Sequence, residues 1–294
     1  MSANIPTHFV SQFSTLIELL LQQKGSKLRG NVRTGTHEGK QASPVNQFGA
    51  ITAQAPAGRF APKNRTDAPA ARRWVFPQDK EIDQLLDDFD MLRLIEDPKG
   101  AYSELASHAI GRAYDDAIID AALGTSNTGE TGSGTEAFDS TNFQVAVDFG
   151  ASSDVGLTVA KLVEARRKMR GAEVDLEGDP LTLIISENQE ADLLNQIEIV
   201  STDFNAKPVL VDGNLVKFLN FDIIVSTRLD VASSHRSCIA YAKSGMYLGL
   251  WRDIQTRVSI RNDLSSEPWD LYSNATFGAT RLEQGKVVEI LAQE

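Results

Sequence analysis

Histidine, cysteine and paired carboxylates are the residues best suited to metal ligation, nucleophilic attack and proton transfer, and in this chain their spacing organises none of these. His8, His37, His108 and His235 stand apart from one another, and His37-Glu38 lacks the second His of the metalloprotease helix motif. One cysteine cannot build a zinc site or an intrachain disulfide. Cys238 lies in the apolar run Cys238-Ile239-Ala240-Tyr241-Ala242, where it reads as a buried small hydrophobe. The pairs Asp87-Asp88 and Asp115-Asp116 are sequence neighbours, which point apart on a helix, so a solvated or subunit-facing role suits them better than general acid/base work. The Gly129-Glu130-Thr131-Gly132-Ser133-Gly134 stretch lacks the Lys-Ser/Thr ending of a phosphate-binding loop and follows a helical pattern, so it reads as a surface loop. Neither a Gly-x-Ser-x-Gly elbow nor a Gly-x-Gly-x-x-Gly fingerprint after a strand occurs. No catalytic residue, cofactor or metal is expected, and function is expected to lie in surface contacts.

Charge is divided unevenly. Residues 1–80 hold 11 Lys/Arg against 4 Asp/Glu, while residues 81–294 hold 18 against 36, within a formal charge of −11. The basic segment is rich in Gly, Pro, Ala, Gln and Asn and cannot bury enough surface to offset its ordering entropy alone. It needs a partner, and the nearest acidic surface is another copy of the chain. A pI near 4.9 argues against wholesale coating of nucleic acid. No signal peptide or membrane anchor is expected, because the only dense apolar cluster near the start, residues 16–21, is too short to span a bilayer and contains Glu18.

The elements that carry these residues follow from periodicity and punctuation. A short amphipathic helix is expected over residues 7–24. Residues 26–77, broken every few positions by Gly or Pro, read as a projecting loop or ribbon with short extended pieces such as 48–52. Asp97 as N-cap, Pro98 at the first helical position and Gly124 as the stop delimit a long helix. Its expected packed face holds Tyr102, Leu105, Ala106, Ala109, Ile110, Ala113, Ala117, Ile118, Ala121 and Ala122, leaving Asp115 and Asp116 on the polar side. A second helix is expected over 158–170, with Val159, Leu162, Val163 and Met169 inward; its cations Arg166, Arg167, Lys168 and Arg170 complement the helix dipole or serve subunit contact. A buried strand at 181–185 precedes a helix opened by a Ser186/Gln189 capping box. Asp212-Gly213-Asn214 signals a hairpin. Short strands then follow at 222–226, 238–242, 246–251, 256–261, 275–282 and 287–291, an α+β pattern.

The order of these pieces resembles a known family, the major capsid proteins of tailed bacteriophages with the Hong Kong 97-like fold. Asp87-Asp88-Phe89-Asp90, Arg93, Asp97-Pro98 and the helix with Arg112 and Asp115-Asp116, closing at Ala121-Ala122-Leu123-Gly124, are similar to the end of that family's extended loop and its spine helix. Asp179-Pro180-Leu181 through Ser186 and Phe221-Asp222-Ile223-Ile224-Val225-Ser226 resemble its axial domain. Ser237 to Ala242, Val258 to Asp263 and Phe277 to Arg281 resemble its returning peripheral strands.

The resemblance implies an N-terminal arm (1–30), an extended loop over a neighbouring subunit (31–80), a peripheral domain with the spine helix (81–150), an axial domain (151–235) and peripheral return strands (236–294). It implies a non-enzymatic virion protein, assembled in the bacterial cytoplasm into pentamers and hexamers of an icosahedral head. The head would enclose double-stranded DNA without sequence-specific binding. Scaffolding, portal and possibly decoration proteins would be its further partners; no long scaffolding segment is recognisable, so a separate scaffold or a processed form is implied. Arg59, Lys63, Arg65, Arg72, Arg73, Asp115 and Asp116 are the expected inter-subunit contacts. An encapsulin-like compartment shell, or a soluble enzyme with an unrecognised site, remains as an alternative at this stage.

Overall fold

The computed structural model describes residues 21–55, 58, 65–87, 99–196, 210–211, 214–265 and 267–294. Arg59 and Lys63, the caps Asp97 and Pro98, and most of the expected helix over 7–24 lie outside them; its described end, residues 21–24, is not helical. Among the described residues the strands begin with β1 (Arg33–Thr36), β2 (Ala42–Phe48), β3 (Ala70–Val75) and β4 (Gln78–Leu86). Helix α1 (Lys99–Leu123) follows, then β5 (Ser126–Thr128), β6 (Gly134–Glu136), the short α2 (Ser140–Phe143) and β7 (Gln144–Val145). Next come α3 (Val159–Gly171), β8 (Leu181–Ile185), α4 (Glu187–Leu194), β9 (Leu210–Val211), β10 (Asn214–Leu215), β11 (Lys217–Phe218) and β12 (Phe221–Val225). The chain closes with β13 (Val231–Ala232), β14 (His235–Ala242), β15 (Met246–Ile260), β16 (Trp269–Arg281) and β17 (Val287–Gln293).

Three of the sheets organise the molecule. The first, β1-β15-β16-β4, is built on the long β15–β16 hairpin, whose register shifts between Leu250 and Gln255. Those bulges explain why the sequence reads as two strands where one runs through: Arg252 and Asp253 break the apolar alternation while pairing to β16 continues beyond them. Helix α1 lies across β15 and β16, about 38 Å long at 1.5 Å per residue.

The packed face of α1 is turned from the expected one. Ala106, Ile110, Tyr114, Ile118 and Ala122 repeat every fourth residue, and Asp115 and Ile119 are buried beside them, whereas Ala109, Ala113, Ala117 and Ala121 are only partly covered. Tyr114 stacks edge-on against Phe277 with ring centroids 4.4 Å apart. Hydropathy alone rejects an aspartate from a core face, and here Asp115 has partners that make its burial tolerable.

The second sheet, β11-β12-β8-β14-β17-β7 with β13 on β14, joins the two chain regions on either side of residue 235. β8 pairs parallel to β12 and antiparallel to β14, and β14 pairs with β17. The expected division at 235/236 therefore falls inside β14, and residues 287–293 pair in the sheet that holds β8 and β14, not in that of β15 and β16. Strands buried on both faces show no alternation to reveal which sheet they join, and every residue of β8 is buried. The Ser186/Gln189 capping box opens α4 as expected, and Thr158 caps α3. In α3 the buried residues are Lys161, Leu162, Ala165 and Met169, while Val163 is 51% exposed.

The third sheet, β2-β3-β5-β6, is a ribbon. The projecting segment expected over 26–77 thus contains paired strands, and its extended piece is Ala42–Phe48 rather than 48–52. The Gly-rich loop after α1 folds as the β5–β6 hairpin that widens the ribbon. A single apolar cluster runs through α1, α3 and both large sheets. Truncating Ile118 at its centre, Ile118→Ala, is expected to lower the unfolding free energy by about 2–5 kcal/mol in urea titration. Val163→Ala should stay within roughly 0.5 kcal/mol of wild type, and equal losses for the two would show that α1 does not seat on the β15–β16 hairpin.

Candidate functional site

The surfaces able to act between molecules are set by how the chain spends its charged side chains internally. Asp115 is fully buried and accepts from the Gln23 amide, the Ser26 hydroxyl, Lys27 N at 3.0 Å and Leu28 N at 3.1 Å. Residues 21–31 thus form a strap across α1. Gly111 makes the crossing possible, because a β-carbon there would come within 2.6 Å of the Gly25 carbonyl carbon. Arg112 donates to Gln22 Oε1 at 2.9 Å and to Gln23 O at 3.1 Å.

The same strap reaches both large sheets: Lys27 Nζ donates to Val225 O at 2.8 Å in β12, and Lys243 Nζ donates to Gly30 O at 2.8 Å. Arg29 forms a two-pronged pair with Asp253 of β15, at 2.9 and 2.6 Å, and Tyr114 Oη donates to the same carboxylate at 3.1 Å. The hydrogen bond from Arg29 holds the Asp253 carboxyl below the usual carboxylate range against its partial desolvation. Asp116, the next residue on α1, pairs with Arg228 through two hydrogen bonds. Asp115 is therefore not on a solvated face, and both neighbouring aspartates are engaged within their own chain.

The expected cations divide as well. Arg73 is buried, pairs with Glu136 of β6 and donates from Nε to Leu282 O at 2.8 Å. That contact draws the Glu136 carboxyl below its ordinary range. Trp74 Nε1 donates to Gly129 O at 2.7 Å, so the ribbon's root is fixed to the body and to the β5–β6 hairpin. Arg72 donates to Asn46 Oδ1 at 2.8 Å and lies 5.7 Å from the Trp74 ring centroid. Arg65 is exposed, and the ribbon's far end presents Phe48 and Ile51, 76% and 63% exposed. On the outward face of β4, Asp79, Glu81 and Asp83 alternate as a row of exposed carboxylates. Asp83 is held above the usual range, first by its hydrogen bond to Asp270.

The remaining reactive groups have structural surroundings. His37 meets Tyr247 Oη at 2.6 Å and lies 5.4 Å from the Trp251 ring, and burial lowers its pKa. His108 faces Glu104 and His235 faces Asp154. Burial pushes the Cys238 thiol up to about 12, which leaves it without thiolate character. Among the described residues no group of three or more His, Cys, Asp and Glu is placed to hold a metal ion, and no described helix is long and apolar enough to cross a membrane.

Sequence reasoning missed two buried cations. Arg281, 1% exposed, donates to Ala122 O at 2.6 Å and Gly124 O at 2.9 Å, capping the carbonyl end of α1. Burial lowers its pKa to about 10. Lys161 donates to Val155 O at 2.7 Å and Leu291 O at 2.8 Å, and burial lowers its pKa to about 8.

A ribbon rooted by buried charge, a long helix under a strapped arm and a body with an acidic face fit a shell subunit, and comparison with known proteins agrees. The family model described as phage capsid protein matches residues 5–294. The chain belongs to that family. The capsid protein's structure is similar to the capsid of cyanophage P-SCSP1u at 15% identity and a TM-score of 0.77, covering 100% of this chain and 97% of that one. It is also similar to the cyanophage Pam1 capsid asymmetric unit, at 14% identity, TM-score 0.73 and 99% and 98% coverage. The capsid of Ralstonia phage GP4 is similar at 9% identity, TM-score 0.72 and 100% and 97% coverage. No curated protein matches the sequence. The expected α+β, Hong Kong 97-like fold is the one observed, and the protein is a structural component of the virion, not an enzyme. It assembles with copies of itself.

Two expectations test the strap. Gly111→Ala should displace it, so that trypsin cleaves at Lys24, Lys27 and Arg29 several-fold faster, although alanine favours the helix itself by up to about 1 kcal/mol; unchanged cleavage would show that the strap does not cross there. Asp253→Asn should lose at most about 1 kcal/mol at pH 7, since the pair is partly exposed and screened. The folded pKa of Asp253 lies below its unfolded value, so the contribution is complete above the ordinary aspartate pKa of about 3.9 and vanishes as pH falls through the folded value. Urea titrations of wild type and variant should therefore converge in acid, and a gap that persists there would remove the ion pair as its cause.

Proposed function

We propose that this chain is the major capsid protein that closes an icosahedral phage head, as pentamers and hexamers, around double-stranded DNA. The observation that carries the reading is the ribbon. It is anchored inside its own subunit by Arg73 and Trp74, while its far end, with Arg65, Phe48 and Ile51, is left uncovered by the described residues. A rigid root with an uncovered basic and apolar end suits docking on a neighbour. The acidic row Asp79, Glu81 and Asp83 gives such an end an oppositely charged seat.

In this reading Arg59, Lys63, Arg65 and Arg72 face the next subunit, whereas Arg73, Asp115 and Asp116 act from within by holding the ribbon and the strap in place. The extended loop is the ribbon of β2 and β3, and β1 and β4 at its two ends join the peripheral sheet. The peripheral unit is α1 with the β1-β15-β16-β4 sheet, and the axial unit is the sheet that unites β8 and β12 with β14 and β17. Scaffolding and portal proteins are its further partners, and DNA is enclosed without base-specific contact.

The test follows from the fold. Removing the whole basic segment would strip Leu28, Val32 and Val75 from the core, so the informative cut is the ribbon's end alone. Phe48 and Ala70 are paired, so a short Gly-Ser turn can replace residues 50–68. The shortened chain should keep its melting temperature and form no closed particles in negative-stain microscopy, where the full chain does. Closed particles from the shortened chain would refute the ribbon's role.

A further inference from the structure

The exposed side of α3 is not accounted for by the fold. Residues 161–170 hold five Lys or Arg and one Glu, and residues 171–206 then hold nine Asp or Glu and no Lys or Arg. Lys161 is buried, and Lys168 donates to Asn142 O at 2.7 Å. Val163, Arg166, Arg167 and Arg170 remain, and their i, i+3, i+4 and i+7 spacing puts them on one helix face, away from Leu162, Ala165 and Met169. Among the described residues neither Arg166 nor Arg170 has a carboxylate within salt-bridge distance, and Arg167 pairs only with Glu164 of its own helix. The dipole of α3 favours cations in its last turn, but it gives no reason for an exposed Val163 with arginines beside it one turn earlier.

Resting on the shell-subunit reading above, we infer that this face is one half of a ring contact whose other half is the acidic α4 of the next copy. α4 presents Glu187 and Glu190 three residues apart, the separation that Arg167 and Arg170 share, and guanidinium groups match carboxylates two-pronged. The pairing cannot form within one chain, because α4 abuts the opposite end of α3: Asp192 accepts from Leu157 N at 3.0 Å, and Gln196 Oε1 accepts from Val159 N at 2.8 Å. α3 lies over β17 and β7 at one end of the sheet, while α4 belongs to the crossover from β8 to β12 toward the other. A basic flank and an acidic flank on one subunit make a head-to-tail interface, which generates a ring where the rotation between copies closes. Nucleic acid is the weaker fit, since the acids that follow the stripe repel phosphate and no aromatic side chain is interleaved for stacking.

The experiment uses the full chain and compares wild type, Arg167→Glu/Arg170→Glu, and that variant with Glu187→Lys/Glu190→Lys added, by thermal melting, sedimentation and negative-stain microscopy. The first variant should melt like wild type yet yield at least tenfold fewer rings and shells, and the added reversal should restore them. Wild-type particle yield from the first variant overturns the inference. So does a folded quadruple variant that stays unassembled, or a first variant that assembles normally but retains less DNA, which would mark a phosphate surface. Wild-type chains that form no rings would instead overturn the shell reading beneath it.

Discussion

Burial of the Asp115 carboxylate is the constraint on which the rest of the architecture depends. An ionised group in the middle of a core helix costs several kcal/mol unless hydrogen bonds replace its water. The helix cannot supply them, since its own N–H groups are committed to the backbone ladder, so a second segment must pass close enough to do so. The strap meets that demand with two side chains and two backbone amides, and Gly111 lets it approach. Once seated, the strap is placed to reach Val225 in one sheet and Asp253 in the other. A single buried charge thus seats the strap and ties the sheet of β12 to the sheet of β15, and the Asp116–Arg228 pair adds a second tie beside it.

Arg281 and Lys161 apply the complementary device, a buried cation satisfied by carbonyl oxygens rather than by a carboxylate. Arg281 meets the end of α1, where backbone carbonyls lack helical partners and the dipole is negative. Lys161 joins the loop before α3 to β17. Each connects pieces distant in sequence with a geometry that an apolar contact would not specify. Together with Arg73 they give the ribbon root, α1 and the sheet of β14 and β17 defined positions before any neighbour arrives.

Legibility in the sequence followed the range of the forces involved. Local signals held: α1 ends at Leu123 beside Gly124, a helix runs over Val159–Gly171 where its period predicts one, and Ser186 with Gln189 opens α4. Non-local satisfaction did not show. Nothing near Asp115 in sequence reveals donors some ninety residues away, so hydropathy alone sets the packed face of α1 a step out of place and omits Tyr114. β14 and β17 are mostly buried and carry no alternation to say which sheet they join, so only pairing assigns them. The contact candidates separated for the same reason: Arg72 and Arg73 are identical in type, yet one lies along the ribbon's surface and the other is consumed by Glu136 and Leu282.

That division of labour bears on how a shell of such subunits closes. Exposed ion pairs contribute about 0–1 kcal/mol each and are screened by salt, so no single one commits two subunits to each other. Association then depends on how little ordering remains to be done when surfaces meet, because ordering a loop at the interface opposes binding. A ribbon rooted by buried Arg73 and a strap fixed by buried Asp115 have already lost that freedom within the monomer. Weak contacts between preorganised surfaces remain reversible one at a time, so misplaced subunits can leave, and become collectively stable only when every flank of every subunit is occupied. The charges buried inside the subunit are therefore what allow the charges outside it to be weak.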